Sequence, residues 1–232
     1  MILQLVFHLM ALAVTVLGIF YDFNYIKFPV SDFQWHHKFG GKFKFLSIQN
    51  MFIQLGYFLT ALIRDIMTGC VNKELIKSLT TFKDNYFAGL AFPLAIFVSI
   101  NFWVLYLTKR DVIFPESLVA VVPYWHLHVL HTNVTLLMFL EMFLCFREYP
   151  EFCSGLITIL SYILSYILWL HCIKYFTGFW VYPLLNDKSF KELYTYFGSA
   201  LGQVVIIYML GEILNNAVWS YELIHKECVR CL

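Results

Sequence analysis

Polar and apolar residues in this chain fall into blocks. Six mostly apolar windows lie approximately at Ile2 to Phe20, Phe45 to Met67, Tyr86 to Thr108, Leu118 to Phe146, Cys153 to Cys172 and Phe197 to Trp219, with short, more polar runs between them. A helix needs about 20 predominantly apolar residues to cross roughly 30 Å of hydrocarbon, and each window is of that order. Strands of a membrane barrel would instead alternate over about 10 residues, so the blocks predict helices. The expected fold is all-α, a multi-pass membrane helical bundle of about six transmembrane helices. Residues 1–232 are expected to form a single integral membrane domain, because the connections are short and show no Gly/Ser linker, low-complexity run or internal repeat. The first window lacks a basic leader and a small-residue cleavage site, and is read as a retained helix.

Composition agrees. Of the 232 residues, 60% are hydrophobic and 13% charged, with 24 Phe and 15 Tyr, and the mean hydropathy is +0.70. This excludes an ordinary soluble domain, and no nucleic-acid partner is expected. Six spans place the 1-2, 3-4 and 5-6 connections on one face, here side B, and both termini on the other, side A. Nine basic residues on side B (Lys27, Lys38, Lys42, Lys44, Lys109, Arg110, Lys174, Lys188, Lys191) against seven on side A (Arg64, Lys73, Lys77, Lys83, Arg147, Lys226, Arg230) do not orient the bundle. The compartment is read only as an integral membrane, endoplasmic reticulum or cell surface. Of six cysteines, Cys70, Cys145, Cys153 and Cys172 lie in or beside spans, where a thiol acts as a small hydrophobe. Cys228 and Cys231 have CxxC spacing near His225, a pattern open to metal binding, reversible acylation or no special role.

The chemistry-bearing residues concentrate toward side B. In "PYWHLHVLHTN", His131 follows Pro123 by eight residues, roughly 12 Å along a helix. Ser47 in "KFKFLSIQN" follows Lys44, which is expected at the interface, and Asn101 in the third span is expected at a depth similar to that of His131. Ser47 has an ordinary use in capping or back-bonding its helix, and His131 one in bridging helices as a neutral imidazole. An ionisable group inside a span is otherwise a functional candidate. His126 and His128 are expected near the headgroups. No metal site is expected: His126 points away from the face shared by His128, His131, Thr132 and Thr135, and no carboxylate stands at i+3 or i+4. Glu141 and Glu212 lie toward the far side, as structural or proton-handling groups. No Asp or Glu is expected at the right depth to complete a triad with Ser47 and His131.

Several motifs together carry a resemblance. The runs "TFKDNYFAGLAFPLAIFVSINFW", "KRDVIFP", "VVPYWHLHVLHT", "ILWLHCIKYFTGFWVYPLL" and "YMLGEILN" occur in an order similar to the androgen-induced protein and androgen-dependent TFPI-regulating protein family, over nearly the whole chain. That resemblance implies a membrane hydrolase of fatty acid esters of hydroxy fatty acids, acting on a lipid substrate without a cofactor. It implies a catalytic hydroxyl at the start of the second helix, here Ser47 where the family has threonine, and a catalytic histidine in the fourth, here His131. Where the family run reads WLNH this chain has WHLH, so Leu127 replaces an amide.

The reading is acyl transfer to Ser47 with His131 as general base, the histidine oriented by Asn101, Thr132 or a backbone carbonyl. Asn101, Arg110, Trp180 and Tyr182 are substrate-binding candidates, with "KRDVIFP" and "TGFWVYP" bordering the site; Arg, Trp and Tyr there also suit plain interfacial anchoring. The alternatives are a non-catalytic adaptor or small transporter using His131, Glu141 and Glu212 as a polar track, and a hydrolase made inactive by serine in place of threonine.

Overall fold

A computed structural model describes residues 2–28, 39–68 and 72–220. The described residues are helical throughout their regular structure, and six helices are long and apolar enough to cross a membrane: α1 (Ile2–Tyr25), α2 (Leu46–Met67), α3 (Lys73–Thr108), α4 (Tyr124–Leu144), α5 (Phe152–Thr177) and α6 (Phe190–Val218). Cys70, Lys38, Lys226, Arg230 and the Cys228/Cys231/His225 tail lie outside the described residues.

Local chemistry sets the helix ends. Gly40 and Gly41, at φ 92° and 52°, turn the chain into a 3-10 turn at Gly41–Lys44 that delivers α2. Asn72 begins α3 by accepting from Glu74 N at 3.0 Å. Ser189 and Glu192 form a reciprocal capping box on α6, and Gly178 ends α5 in the left-handed conformation. Pro123 stands at the N-cap of α4, so the apolar residues from Leu118 to Val122 belong to the connection and not to the fourth span. The third span also differs from its window. Lys73–Tyr86 is a polar helix, and it continues through a π turn at Phe87–Ala91 into the apolar helix Phe92–Thr108.

Two contiguous cores hold the bundle. One joins α3, α5 and α6 through Leu94, Ile159, Ile163, Val204 and Tyr208. The other joins α1 to α4 through Ala11, Tyr57, Phe58, Phe92 and Met138. Small residues permit the closest approaches: a side chain on Gly155 would collide with Tyr208 Oη, so glycine lets α6 press against α5. Leu107, Leu168 and Ile213 point outward and are 80%, 66% and 60% exposed, as expected where the surrounding solvent is hydrocarbon.

Several charges expected in connections or at interfaces are buried instead. Lys44, Lys83 and Arg147 are each no more than 4% exposed. Arg147 folds back to Glu141 Oε1 (3.3 Å), to Glu141 O (2.9 Å) and over the Phe87 ring. A buried arginine is tolerated because carboxylate, carbonyls and ring take over its solvation.

Candidate functional site

Ser47 is the second residue of α2, so its position is set by how that helix starts. Phe45, the N-cap, offers no side-chain oxygen. The end is held from α5 and its following loop: Tyr166 donates its hydroxyl to Lys44 O at 2.9 Å, the Tyr166 and Tyr182 hydroxyls are 2.8 Å apart, and Leu46 N–H donates to Tyr182 Oη at 3.4 Å. Burial pushes the Tyr182 hydroxyl up to about 12, so it remains a neutral phenol and works as an anchor. Gln49 adds a bond to Phe43 O and one from Tyr162.

His131 sits on a different irregularity. Residues Val129–Asn133 form a π turn within α4, an arrangement frequent at functional sites. The ring is 6% exposed and stacks on Phe102 with centroids 3.5 Å apart and planes 7° from parallel. Its Nδ1 is 3.0 Å from Leu127 O. Since a carbonyl only accepts, Nδ1 carries the proton there and Nε2 of the neutral ring keeps its lone pair. The orienting group is therefore a backbone carbonyl. Asn101 is turned elsewhere, donating to Phe97 O (2.8 Å) and Gln203 Oε1 (3.0 Å), and Thr132 is engaged by Trp103 and His128.

Ser47 and His131 line one mostly apolar cavity of about 240 Å³. Among the described residues the Ser47 side chain makes no hydrogen bond, including to His131, so the two groups share the cavity without a hydrogen bond between them. Asn101 and Tyr182 also line it, as do Val112 to Pro115 of "KRDVIFP" and Val181 to Pro183 of "TGFWVYP". Arg110 and Trp180 do not. Arg110 is exposed and donates to Tyr124 Oη at 2.9 Å, while Trp180 is buried beside His171 and Phe197.

The surroundings correct two expectations. His126, expected as an interfacial ring, is fully buried within the protein, with Nε2 3.0 Å from Asp22 Oδ2. Asp22 is itself 4% exposed, lines the cavity, and accepts from Lys42 Nζ at 2.6 Å. A carboxylate thus stands beside the cavity after all, at the end of α1. Its partners are Lys42 and His126, so it braces the wall and does not orient His131. His128 is exposed and packs on Trp103.

Glu141 and Glu212 do lie away from this site. Glu212 is half-buried. Glu141 is fully buried among His8, Tyr57, Lys83 and Arg147. Between His131 and Glu141, α4 turns Val134 and Met138 into the apolar core.

Comparison with known sequences comes from most of the chain. Residues 3–216 match the family model described as FAR-17a/AIG1-like protein. The human protein named androgen-induced gene 1 protein is 33% identical over 220 residues, covering 92% of this chain and 90% of its own length. The human androgen-dependent TFPI-regulating protein is 33% identical over 184 residues, covering 78% and 79%, and its mouse counterpart is 31% identical over 181 residues, with the same coverage. No solved structure matches the chain.

Proposed function

We propose that this chain, which belongs to the FAR-17a/AIG1-like family, is a membrane-embedded hydrolase of fatty acid esters of hydroxy fatty acids, with Ser47 as nucleophile and His131 as base. One observation carries the reading: a hydroxyl at the start of α2 and an imidazole with a free Nε2 line the same mostly apolar cavity. Nε2 takes the Ser47 proton as Oγ attacks the ester carbonyl, then returns it to the departing alkoxide, so that the hydroxy fatty acid leaves as an alcohol. Water, deprotonated by the same nitrogen, then releases the fatty acid and restores Ser47. The carboxylate of a third residue is dispensable here, because Leu127 O already fixes the ring and its tautomer.

The first turn of α2 supplies the remaining element. The N–H groups of Ser47 and Ile48 belong to the helix N-terminus, where backbone donors have no intrahelical acceptor and the dipole favours negative charge. An oxyanion formed at a Ser47-bound ester lies next to them. Tyr182 and Tyr166 hold that turn in place, and Phe97, Phe102, Leu105 and Leu118 furnish apolar wall for acyl chain. The test is covalent labelling of the purified protein by a serine-directed fluorophosphonate together with release of hydroxy fatty acid from a branched ester. Loss of both in Ser47→Ala and in His131→Gln supports the pair; retention of hydrolysis in Ser47→Ala eliminates it.

A further inference from the structure

We propose that His8, Glu141 and Cys145 form a binding site for a divalent zinc-type cation near side A, separate from the Ser47/His131 cavity. His8 comes from α1, Glu141 from the last turns of α4, and Cys145 from the residue that follows α4. His8 Nε2 is 2.7 Å from Glu141 Oε2 and 3.7 Å from Cys145 Sγ. One nitrogen, one oxygen and one sulfur donor all lie within 4.8 Å of one another, and all three residues are buried. Zinc–ligand bonds of about 2.0–2.3 Å in tetrahedral geometry place donor atoms roughly 3.3–3.6 Å apart. The His8–Glu141 gap has to open by about 0.6 Å to admit the ion, while the His8–Cys145 separation of 3.7 Å is already close to the required spacing.

The surrounding residues are arranged as metal sites require. His8 Nδ1 is 2.7 Å from Asp65 Oδ2, so a carboxylate on α2 fixes the ring from behind and leaves Nε2 facing the ion. The two oxygens of Glu141 are divided. Oε1 takes Tyr57 Oη at 2.5 Å, Arg147 Nη2 at 3.3 Å and Lys83 Nζ at 3.9 Å, while Oε2 faces His8. The cations thus engage one oxygen and leave the other as a ligand.

Both ring nitrogens of His8 face carboxylate oxygens, so an ion bound between Nε2 and Glu141 Oε2 replaces one of these contacts and leaves the Nδ1–Asp65 contact in place. A polar cavity of about 560 Å³ whose wall includes Gln4, His8, Asp65 and Cys145 gives access and space for water as a fourth ligand.

The test is cobalt substitution of the full-length protein in detergent, reduced and stripped with a chelator. Co²⁺ is expected to give a saturable visible d–d spectrum with a thiolate-to-cobalt charge-transfer band, both displaced by Zn²⁺. Both signals persist in Cys228→Ser/Cys231→Ser, which removes the CxxC tail. Cys145→Ser abolishes the charge-transfer band. Asp65→Asn, which leaves the three ligands in place, weakens binding by roughly 10- to 100-fold. Absence of a saturable signal, its loss in the tail variant, or unchanged binding in Asp65→Asn overturns the site, whether or not the Cys145 variant folds.

Discussion

Two histidines five residues apart in sequence are expected to fail in different ways when each is changed to glutamine. His131→Gln removes a ring that accepts a proton at Nε2 and donates at Nδ1 to Leu127 O. Losing a general base costs about 10²-fold or more in turnover, which is about 2.7 kcal/mol in the barrier. The stability at stake is one hydrogen bond of about 1 kcal/mol, for which glutamine retains a donor, and the stacking on Phe102, about 0.5–1.5 kcal/mol. His126→Gln removes a partner of the buried Asp22 carboxylate, while Lys42 remains on it. Losing a hydrogen bond to a buried carboxylate costs about 1.5–3 kcal/mol, and the surviving Lys42 contact and the glutamine amide put this change at the lower end. Turnover per folded molecule stays within a few-fold of the parent. The assay pairs thermal melts in detergent with mass-spectrometric release of hydroxy fatty acid, normalised to folded protein. Equal loss of turnover per folded molecule in both variants, or near-parental turnover in His131→Gln, refutes the assignment of the base.

Ser47→Thr is expected to keep part of the hydrolysis that Ser47→Ala loses, measured on the same branched ester, because it restores a hydroxyl of the family type. Turnover falls toward acid pH as His131 takes up a proton and can no longer accept one from Ser47; a pH–rate profile without an acidic limb contradicts this. Tyr166→Phe removes the hydroxyl that donates to Lys44 O and is expected to cost about 1–3 kcal/mol in melts, with reduced turnover because the turn bearing Ser47 loosens. Tags on the two termini are expected on the same face of the membrane by protease protection, and opposite faces would contradict six spans.

The spans were readable because apolar runs of about 20 residues have few other uses. Ser47 and His131 stood out for the opposite reason, as polar groups within such runs. Lys73–Tyr86 lies outside the apolar window because its charges disguise the first half of α3. Arg147 and Lys83 resembled ordinary loop cations, and only their packing shows them drawn inward to Glu141. Asp22 and His126 are 104 residues apart, and nothing local announces that they meet. The His8, Glu141 and Cys145 donors come together by helix packing alone, with no local spacing of the kind seen in the clustered histidines or the Cys228/Cys231 pair to announce them.

The π turn at Val129–Asn133 implies that spacing governs α4 as much as residue identity. Such a turn carries one residue more than the plain helix would, so the segments before and after it are out of phase by about 100°. That offset lets Tyr124–His128 bring His126 to Asp22 while the rest of the helix brings Val134 and Met138 to the core. A scan that replaces these positions one at a time preserves the offset at every step. Removing a single residue from the turn would swing one half of the helix about its axis and part His126 from Asp22, with every remaining side chain still the one evolution put there.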